Sequence, residues 1–385
     1  MLSRSSVILS VIIALTVAAC GGGSGGSSGA TTATGQFKDN NTSGLAYISG
    51  AQSGVTATDG SFTYEVGQPV TFKIGGVTVG SISAGKSTVT PLDLATAGTS
   101  ATANVTNRVR FLMMLDSDGN PANGINISSA VQAAATLWSQ PAFDTGDIAS
   151  DAAMSAITSA VQSTTALTVT LPSAATAKSH VESTLRCIYA GAYKGTFSGG
   201  DSGQFGVLVD ATNGNVSGVA VSSSAPGSPM LLTGVTPITY DQNAAFTSGN
   251  TSTGATFSGK YTSTNGVSGT WANTSTSSQG NFTGTRIGGA SNAVYRYTGR
   301  FTGSDSGLFT FDIDSSGNAT GVGYSVPADT QFTLTGTLTS TSLTGTSSTG
   351  ATITASLNTG TGAFSGNWSN GSASGTFTGS GCKLN

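Results

Sequence analysis

Few side chains in this 385-residue chain could do chemistry. There is one histidine, His180, there are three cysteines, Cys20, Cys187 and Cys382, and Asp and Glu total 17. A single imidazole cannot build a multi-histidine zinc site. Serine hydrolysis would need His180 beside an acid and a serine on a strained Gly-x-Ser-x-Gly elbow, and no strand-to-helix junction here carries one. The densest polar run is Asp116-Ser117-Asp118-Gly119-Asn120. Oxygens at its first, third and fifth positions, Asp116, Asp118 and Asn120, are what a hard cation such as Ca2+ requires, and the glycine permits the turn. An EF-hand would have its bidentate glutamate at the twelfth position, where Ile127 stands, and its glycine elsewhere. The run reads either as a structural calcium loop or as a helix end followed by an Asn-Pro turn. Asp201-Ser202-Gly203 and Asp305-Ser306-Gly307 recur at equivalent places; hairpin turns explain them, and so would a shared function. Glycoside cleavage needs two acids about 5 to 10 Å apart in a cleft, which nothing in the sequence places. We therefore expect a protein that is not an enzyme, with no catalytic residue and no cofactor beyond that candidate Ca2+.

Only 8% of residues are charged and the formal net charge is -3, so no basic patch exists to neutralise phosphates and nucleic acid is excluded as a partner. Apolar residues make up 37%, enough to bury cores despite 55 glycines. At the N-terminus, Arg4 precedes an apolar run over residues 7–17, followed by the small residues Ala18 and Ala19 and then Cys20, the order of a secretion signal. That run of about a dozen residues is too short for a spanning helix of about 20. The string Leu15-Thr16-Val17-Ala18-Ala19-Cys20 resembles the lipobox of bacterial lipoproteins. The resemblance implies that residues 1–19 are a cleaved signal peptide and that Cys20 carries diacylglycerol and a palmitate-like acyl chain. It thereby implies a membrane partner through the N-terminal lipid, since several chains anchor durably where one would not. A plain signal peptide is the alternative. Gly21, in place of the aspartate that retains such proteins at the inner membrane, implies the outer membrane, facing the surface or the periplasm. Residues 20–35 are a Gly/Ser tether with a reach of roughly 20 Å. With Cys20 acylated, Cys187 and Cys382 form an even pair in an oxidising compartment, so a disulfide is expected, two free thiols being the alternative.

Residues 36–186 read as one α+β domain. Short alternating runs at 45–48, 61–64, 70–74 and 77–79 are strands, with Asp59-Gly60 and Gly75-Gly76 as tight hairpin connections. The string GLAYISGAQSGVTATDGSFTYEVGQPVTFKIGGVTVG resembles a β module at the front of uncharacterised bacterial surface lipoproteins and adhesin-like proteins. RFLMMLDSDGNPANGINIS resembles the segment that accompanies it there. After Pro91, Val105, Val109, Leu112 and Leu115 have the spacing of a helix packed on one face. Further helices are expected over 128–139 with Ser128 as cap, over 148–163, and over 172–187 with Pro172 in the first turn.

From Tyr189 the chain is β throughout and repeats itself. Tyr193 to Phe205 recurs as Tyr297 to Phe309, and Ser268-Gly269-Thr270-Trp271 recurs as Ser365-Gly366-Asn367-Trp368. Residues 187–288 and 289–385 are thus two tandem antiparallel β units. Eight runs in the second, at 295–302, 308–313, 319–326, 332–338, 342–346, 351–357, 363–368 and 373–377, suit a closed eight-stranded up-and-down barrel. Tyr, Phe and Trp would fill its interior, and Thr, Ser and Asn would coat it. A sandwich per copy or one shared barrel are the rivals. Such glycine-rich units resemble C-terminal barrels of bacterial surface lipoproteins that bind host proteins, although no binding motif carries over. The fold class expected is mainly β with an α+β N-terminal domain. The function expected is a lipid-anchored envelope module for binding or adhesion to a host, matrix or envelope protein, through rim loops or exposed aromatics such as Tyr240 or Tyr324. A lipocalin-like carrier of a small apolar ligand is the alternative, and a pocket lined by Phe197, Phe205 and Trp271 would favour it.

Overall fold

The computed structural model describes residues 30–165, 169–234, 240, 245–261, 265–290, 293–358 and 361–384; the signal segment and Cys20 lie outside them. Strands β1 (Thr32–Phe37), β2 (Thr42–Ser43), β3 (Ala46–Ser49), β4 (Gln52–Val55), β5 (Ser61–Glu65), β6 (Val70–Ile74), β7 (Val77–Ile82) and β8 (Thr88–Val89) open the chain. They form a β5-β1-β8 sheet and a β4-β3-β6-β7 sheet, whose alternating apolar residues, among them Phe37, Phe62 and Phe72, interlock edge to face. The Gly75-Gly76 hairpin is present, with Gly75 at φ 52°. Asp59-Gly60 is not a hairpin tip. It leads into β5, whose ladder runs to β1, and Asp59 Oδ1 accepts from Ser61 N at 2.9 Å, an Asx turn in place of a two-strand ladder.

Helix α1 (Ala103–Met114) carries the expected stripe, with Val105, Val109, Leu112 and Leu115 all fully buried. It is not a one-faced helix, however: every residue from Val105 to Met114 is buried. Its polar face is covered because each cation finds partners. Arg108 donates to Val79 O at 2.7 Å and Asp144 Oδ1 at 2.8 Å, and Arg110 to Pro172 O at 2.6 Å and to Asp147. Strand β9 (Ile125–Asn126) follows and pairs with β2. Helix α2 (Ser129–Ala134) is capped by Ser128 Oγ and tightens into a 3-10 turn before Trp138, five residues short of expectation. The β6–β7 tip docks there, Gly76 N donating to Ala135 O at 2.8 Å. Helix α3 (Ala152–Thr165) starts after a separate 3-10 turn at 148–150. Helix α4 (Ala174–Tyr189) is capped by Ser173, so Pro172 lies outside the first turn, where its carbonyl serves Arg110.

Two closed eight-stranded antiparallel barrels follow, each with consecutive strands paired. The first comprises β10 (Gly191–Gly199), β11 (Gly203–Val209), β12 (Val216–Ser222), β13 (Met230–Gly234), β14 (Ala245–Thr251), β15 (Thr256–Tyr261), β16 (Gly266–Asn273) and β17 (Ser278–Ile287). It closes through β10 against β17, Ala192 opposite Ile287. The second comprises β18 (Tyr295–Gly303), β19 (Gly307–Ile313), β20 (Asn318–Ser325), β21 (Thr330–Thr339), β22 (Ser342–Ser347), β23 (Thr352–Leu357), β24 (Ala363–Asn370) and β25 (Ala373–Lys383), closing through β18 against β25. Each expected run lies within a residue or two of an observed strand, except that β25 continues six residues further.

The repeated glycines have a steric reason. Gly195 pairs with Phe205 and Gly299 with Phe309; a Cβ at either glycine would stand 2.6 Å from the ring's far atom. Gly280 leaves the passage through which Trp271 reaches across β17 to donate to Ser198 O at 3.1 Å, and Gly375 does the same for Trp368 and Thr302 O at 3.1 Å. The barrels pack wall to wall through Ala192, Leu208, Ile287, Leu308 and Tyr324. Cys187 in α4 is joined to Cys382 in β25, with Cα atoms 5.7 Å apart.

Candidate functional site

Inward-facing residues alternate with outward ones along the barrel strands, the outward set being mostly Thr, Ser, Lys and Asn except where the barrels meet, and both interiors are lined by aromatics. They do not fill them. The first barrel encloses a cavity of about 410 Å3, with Phe197, Phe205, Phe257, Trp271 and Phe282 in its wall. The second encloses about 290 Å3, with Phe301, Phe309, Phe332, Trp368 and Phe377. The register is the same and the residues differ: Val207 faces Gly218 and Val267 faces Gly284 in the first barrel, where Phe311 faces Gly321 and Phe364 faces Gly379 in the second. Two phenyl groups replace two isopropyl groups and take up the space.

Both cavities have the same polarity along the barrel. At one end the lining includes residues of the β10–β11, β12–β13, β14–β15 and β16–β17 connections, among them Asp201, Ser224, Thr253 and Thr276. The equivalent end of the second barrel presents Asp305, Thr349 and Asn370. The opposite end of the first barrel is stoppered by tyrosines: Tyr189 from α4 stacks on Tyr261 at 4.4 Å, Tyr193 tilts against Tyr261 at 5.7 Å, and Tyr240 lies beyond Tyr189 at 6.5 Å. Burial pushes the phenols of Tyr193 and Tyr261 up, and holds them neutral. In the second barrel Tyr297, stacked on Phe311 at 5.1 Å, takes that place, its phenol pushed up to about 12 by burial. Tyr240 and Tyr324 are 2% and 8% exposed, so neither is a surface contact. Tyr240 is held by reciprocal bonds with Ser100, and Tyr324 lies between the barrels.

Asp201 and Asp305, which recur in sequence, occupy equivalent positions at the two mouths. Asp201 Oδ1 accepts from Ser202 N at 2.7 Å and Ser222 Oγ at 2.8 Å; Asp305 Oδ1 accepts from Ser306 N at 2.7 Å and Ser325 Oγ at 2.8 Å. Sequence reading singled these residues out but could not place them on a cavity, because that depends on barrel closure.

The Asp116 run turns from α1 into β9. Asp116 Oδ1 accepts from Asn126 N at 2.9 Å, and the two oxygens of Asp118 accept from Asn120 N and Asn123 Nδ2, each at 2.9 Å. Burial and the neighbouring Asp118 raise the Asp116 carboxyl above its ordinary range. Asp116 Oδ2 is buried without a hydrogen-bond partner, so of the four carboxylate oxygens here a Ca2+ would find that one uncommitted and the other three already accepting hydrogen bonds.

His180 lines neither cavity. Its Nε2 lies 3.3 Å from Asp39 O and 3.2 Å from Asp39 Oδ1, the latter an ionic contact without hydrogen-bond alignment. Burial works to lower the imidazole's pKa, but the Asp39 carboxylate, aided by Asp116, carries it above the usual value. The charged pair therefore stabilises the fold fully below the unfolded value of about 6.5, and that contribution is lost as pH rises through the raised folded value. Melting temperature of the wild type relative to His180→Gln is expected to fall from pH 5.5 to 8.5, a comparison that cancels the opposite trend of Lys38, whose amine is brought down to about 8 by burial.

No family model matches the chain, and no curated protein matches it. Among solved structures it is similar to a mutant form of the vaccine antigen transferrin binding protein B from Haemophilus parasuis Hp5, at 10% identity, covering 49% of this chain and 66% of that one, with a TM-score of 0.17. It is also similar to intact Ap-TbpB with its N and C lobes, at 10% identity, covering 51% and 76%, with a TM-score of 0.17. The barrel architecture rests on the strand pairing and not on these overlaps.

Proposed function

We propose that this protein is a lipid-anchored, non-enzymatic binding protein of the bacterial cell envelope, whose barrels hold a small apolar ligand. The observation that carries the reading is the cavity of about 410 Å3 lined by Phe197, Phe205 and Trp271, the trio that distinguishes a carrier from a filled core. An eight-stranded barrel has an interior wide enough for one small ligand when its inward residues leave room. Val207 and Val267 leave that room in the first barrel. Adhesion to a host or matrix protein, the first expectation from sequence, loses its named aromatic contacts with the burial of Tyr240 and Tyr324, and rests on the rim loops alone. Anchoring at the outer membrane rests on the Leu15 to Cys20 string and Gly21. Among the described residues no helix is long and apolar enough to cross a membrane.

Titration with N-phenyl-1-naphthylamine, an uncharged dye that brightens in apolar surroundings, tests the cavity reading. Saturable binding is expected, and Ala220→Trp with Ala319→Trp, which place an indole in each cavity, are expected to weaken it at least about tenfold, roughly 1.4 kcal/mol. Equal binding by wild type and the filled variant would refute the reading.

A further inference from the structure

We infer that both barrels select an apolar ligand carrying a protonated amine, with Asp201 and Asp305 as the groups that recognise it; the inference rests on the cavity reading above. Three observations converge on the sign of the head group. The first is the charge inventory. Among the described residues neither cavity is lined by a Lys, Arg or His, and the one carboxylate in each described lining is Asp201 or Asp305. An anionic head such as a fatty-acid carboxylate would meet a like charge beside low-dielectric walls, where the repulsion is far larger than in water, while an ammonium would meet an opposite one.

The second is the state of those carboxylates. In each, Oδ1 is held by a backbone N–H and by a serine hydroxyl, Ser222 or Ser325, that is itself more than nine-tenths buried. The orientation is thereby fixed. Oδ2 takes no hydrogen bond from any described residue in either barrel, and it is not sealed from solvent as Asp116 Oδ2 is. A preoriented carboxylate with one uncommitted oxygen is an acceptor for a cationic donor.

The third is that the indole N–H and one N–H of the nearby amide are already engaged in each lining. The indole N–H groups of Trp271 and Trp368 donate to Ser198 O and Thr302 O, and the amides of Asn273 and Asn370 donate to Thr253 O at 3.2 Å and Thr349 O at 3.0 Å. Trp271 and Trp368 line the cavities, each perpendicular to a phenyl ring, Phe197 or Phe301, and an indole face attracts a cation. All three features occur in both barrels at matching strand positions, so the two copies share one preference despite their different volumes.

The test uses the full chain and three ten-carbon probes below their micellar concentrations at pH 7: decylamine, decanol and decanoate, each competing with N-phenyl-1-naphthylamine. Decylamine is expected to displace the dye at about a tenfold lower concentration than decanoate. Asp201→Asn with Asp305→Asn should bring the two within about twofold, and Asp201→Lys with Asp305→Lys should invert the order. Decanol binding with no preference for the amine, or a preference that survives in the Asn variant, overturns the head-group inference and leaves the cavity reading standing. Failure of all three probes to displace bound dye overturns the head-group inference, and absence of saturable dye binding overturns the cavity reading with it.

Discussion

Replacing Cys187 and Cys382 with serine is expected to lower the unfolding free energy by about 5 kcal/mol, the chain-entropy value for so long a loop. The bond joins residues 195 apart in sequence. Cys187 lies in α4, just before the first barrel begins, and Cys382 in β25, the strand that closes the second. The strands of both barrels, up to the end of β25, lie between them, so the crosslink restricts the unfolded ensemble of both barrels at once. It also pins the last strand to the helix whose Tyr189 stoppers the first cavity. Guanidinium unfolding of the serine variant, followed by tryptophan fluorescence, should show a lower midpoint; all three tryptophans lie between 138 and 368. A change below about 1 kcal/mol would mean that the barrels are held by their own pairing and that the bond adds little.

Asp312→Ala is expected to cost about 3 to 5 kcal/mol, the range for leaving a buried charge without its partner. Asp312 is 1% exposed and takes two parallel bonds from Arg296, each 2.9 Å long, plus Ala290 N at 2.7 Å. Arg296 also reaches Ile188 O at the end of α4, where Arg286 donates at 2.9 Å. Two guanidinium groups thus crowd one carbonyl: burial, and then Arg296, bring Arg286 down to about 10. Without Asp312 the repulsion has no counter-charge. Because the loss is that of an orphaned charge and not of an intrinsically strong pair, Arg296→Met with Asp312→Leu should recover most of it. A double variant no more stable than Asp312→Ala would show that the pair itself supplies the stability.

The barrels were legible because two independent signals agree: the alternation of Phe and Tyr with Thr and Ser, and the second copy that repeats it. Helix positions were legible from Val105 to Leu115, but not helix ends, since nothing in Thr136-Leu137-Trp138-Ser139 forbids a further turn and it is Gly76, distant in sequence, that claims the Ala135 carbonyl. Arg108 and Arg110 lie off the apolar stripe and are buried all the same, because partners distant in sequence, Val79, Asp144, Asp147 and Pro172, satisfy them. The cavities were the least legible feature. Whether a barrel is full depends on which residue faces Gly218 or Gly321 across a strand pair, and a valine for a phenylalanine in that place reads as an equivalent apolar residue along the chain.

Mass spectrometry of the protein extracted gently from the envelope of a producing strain, under native and then denaturing conditions, tests the central claim most directly. Acyl groups on Cys20 would persist in both. A ligand in the barrels adds a mass, once or twice per chain, that disappears on denaturation and is absent from the Ala220→Trp, Ala319→Trp variant. Identical native and denatured masses for the wild type would contradict the account and return the protein to a role played by its outer surface.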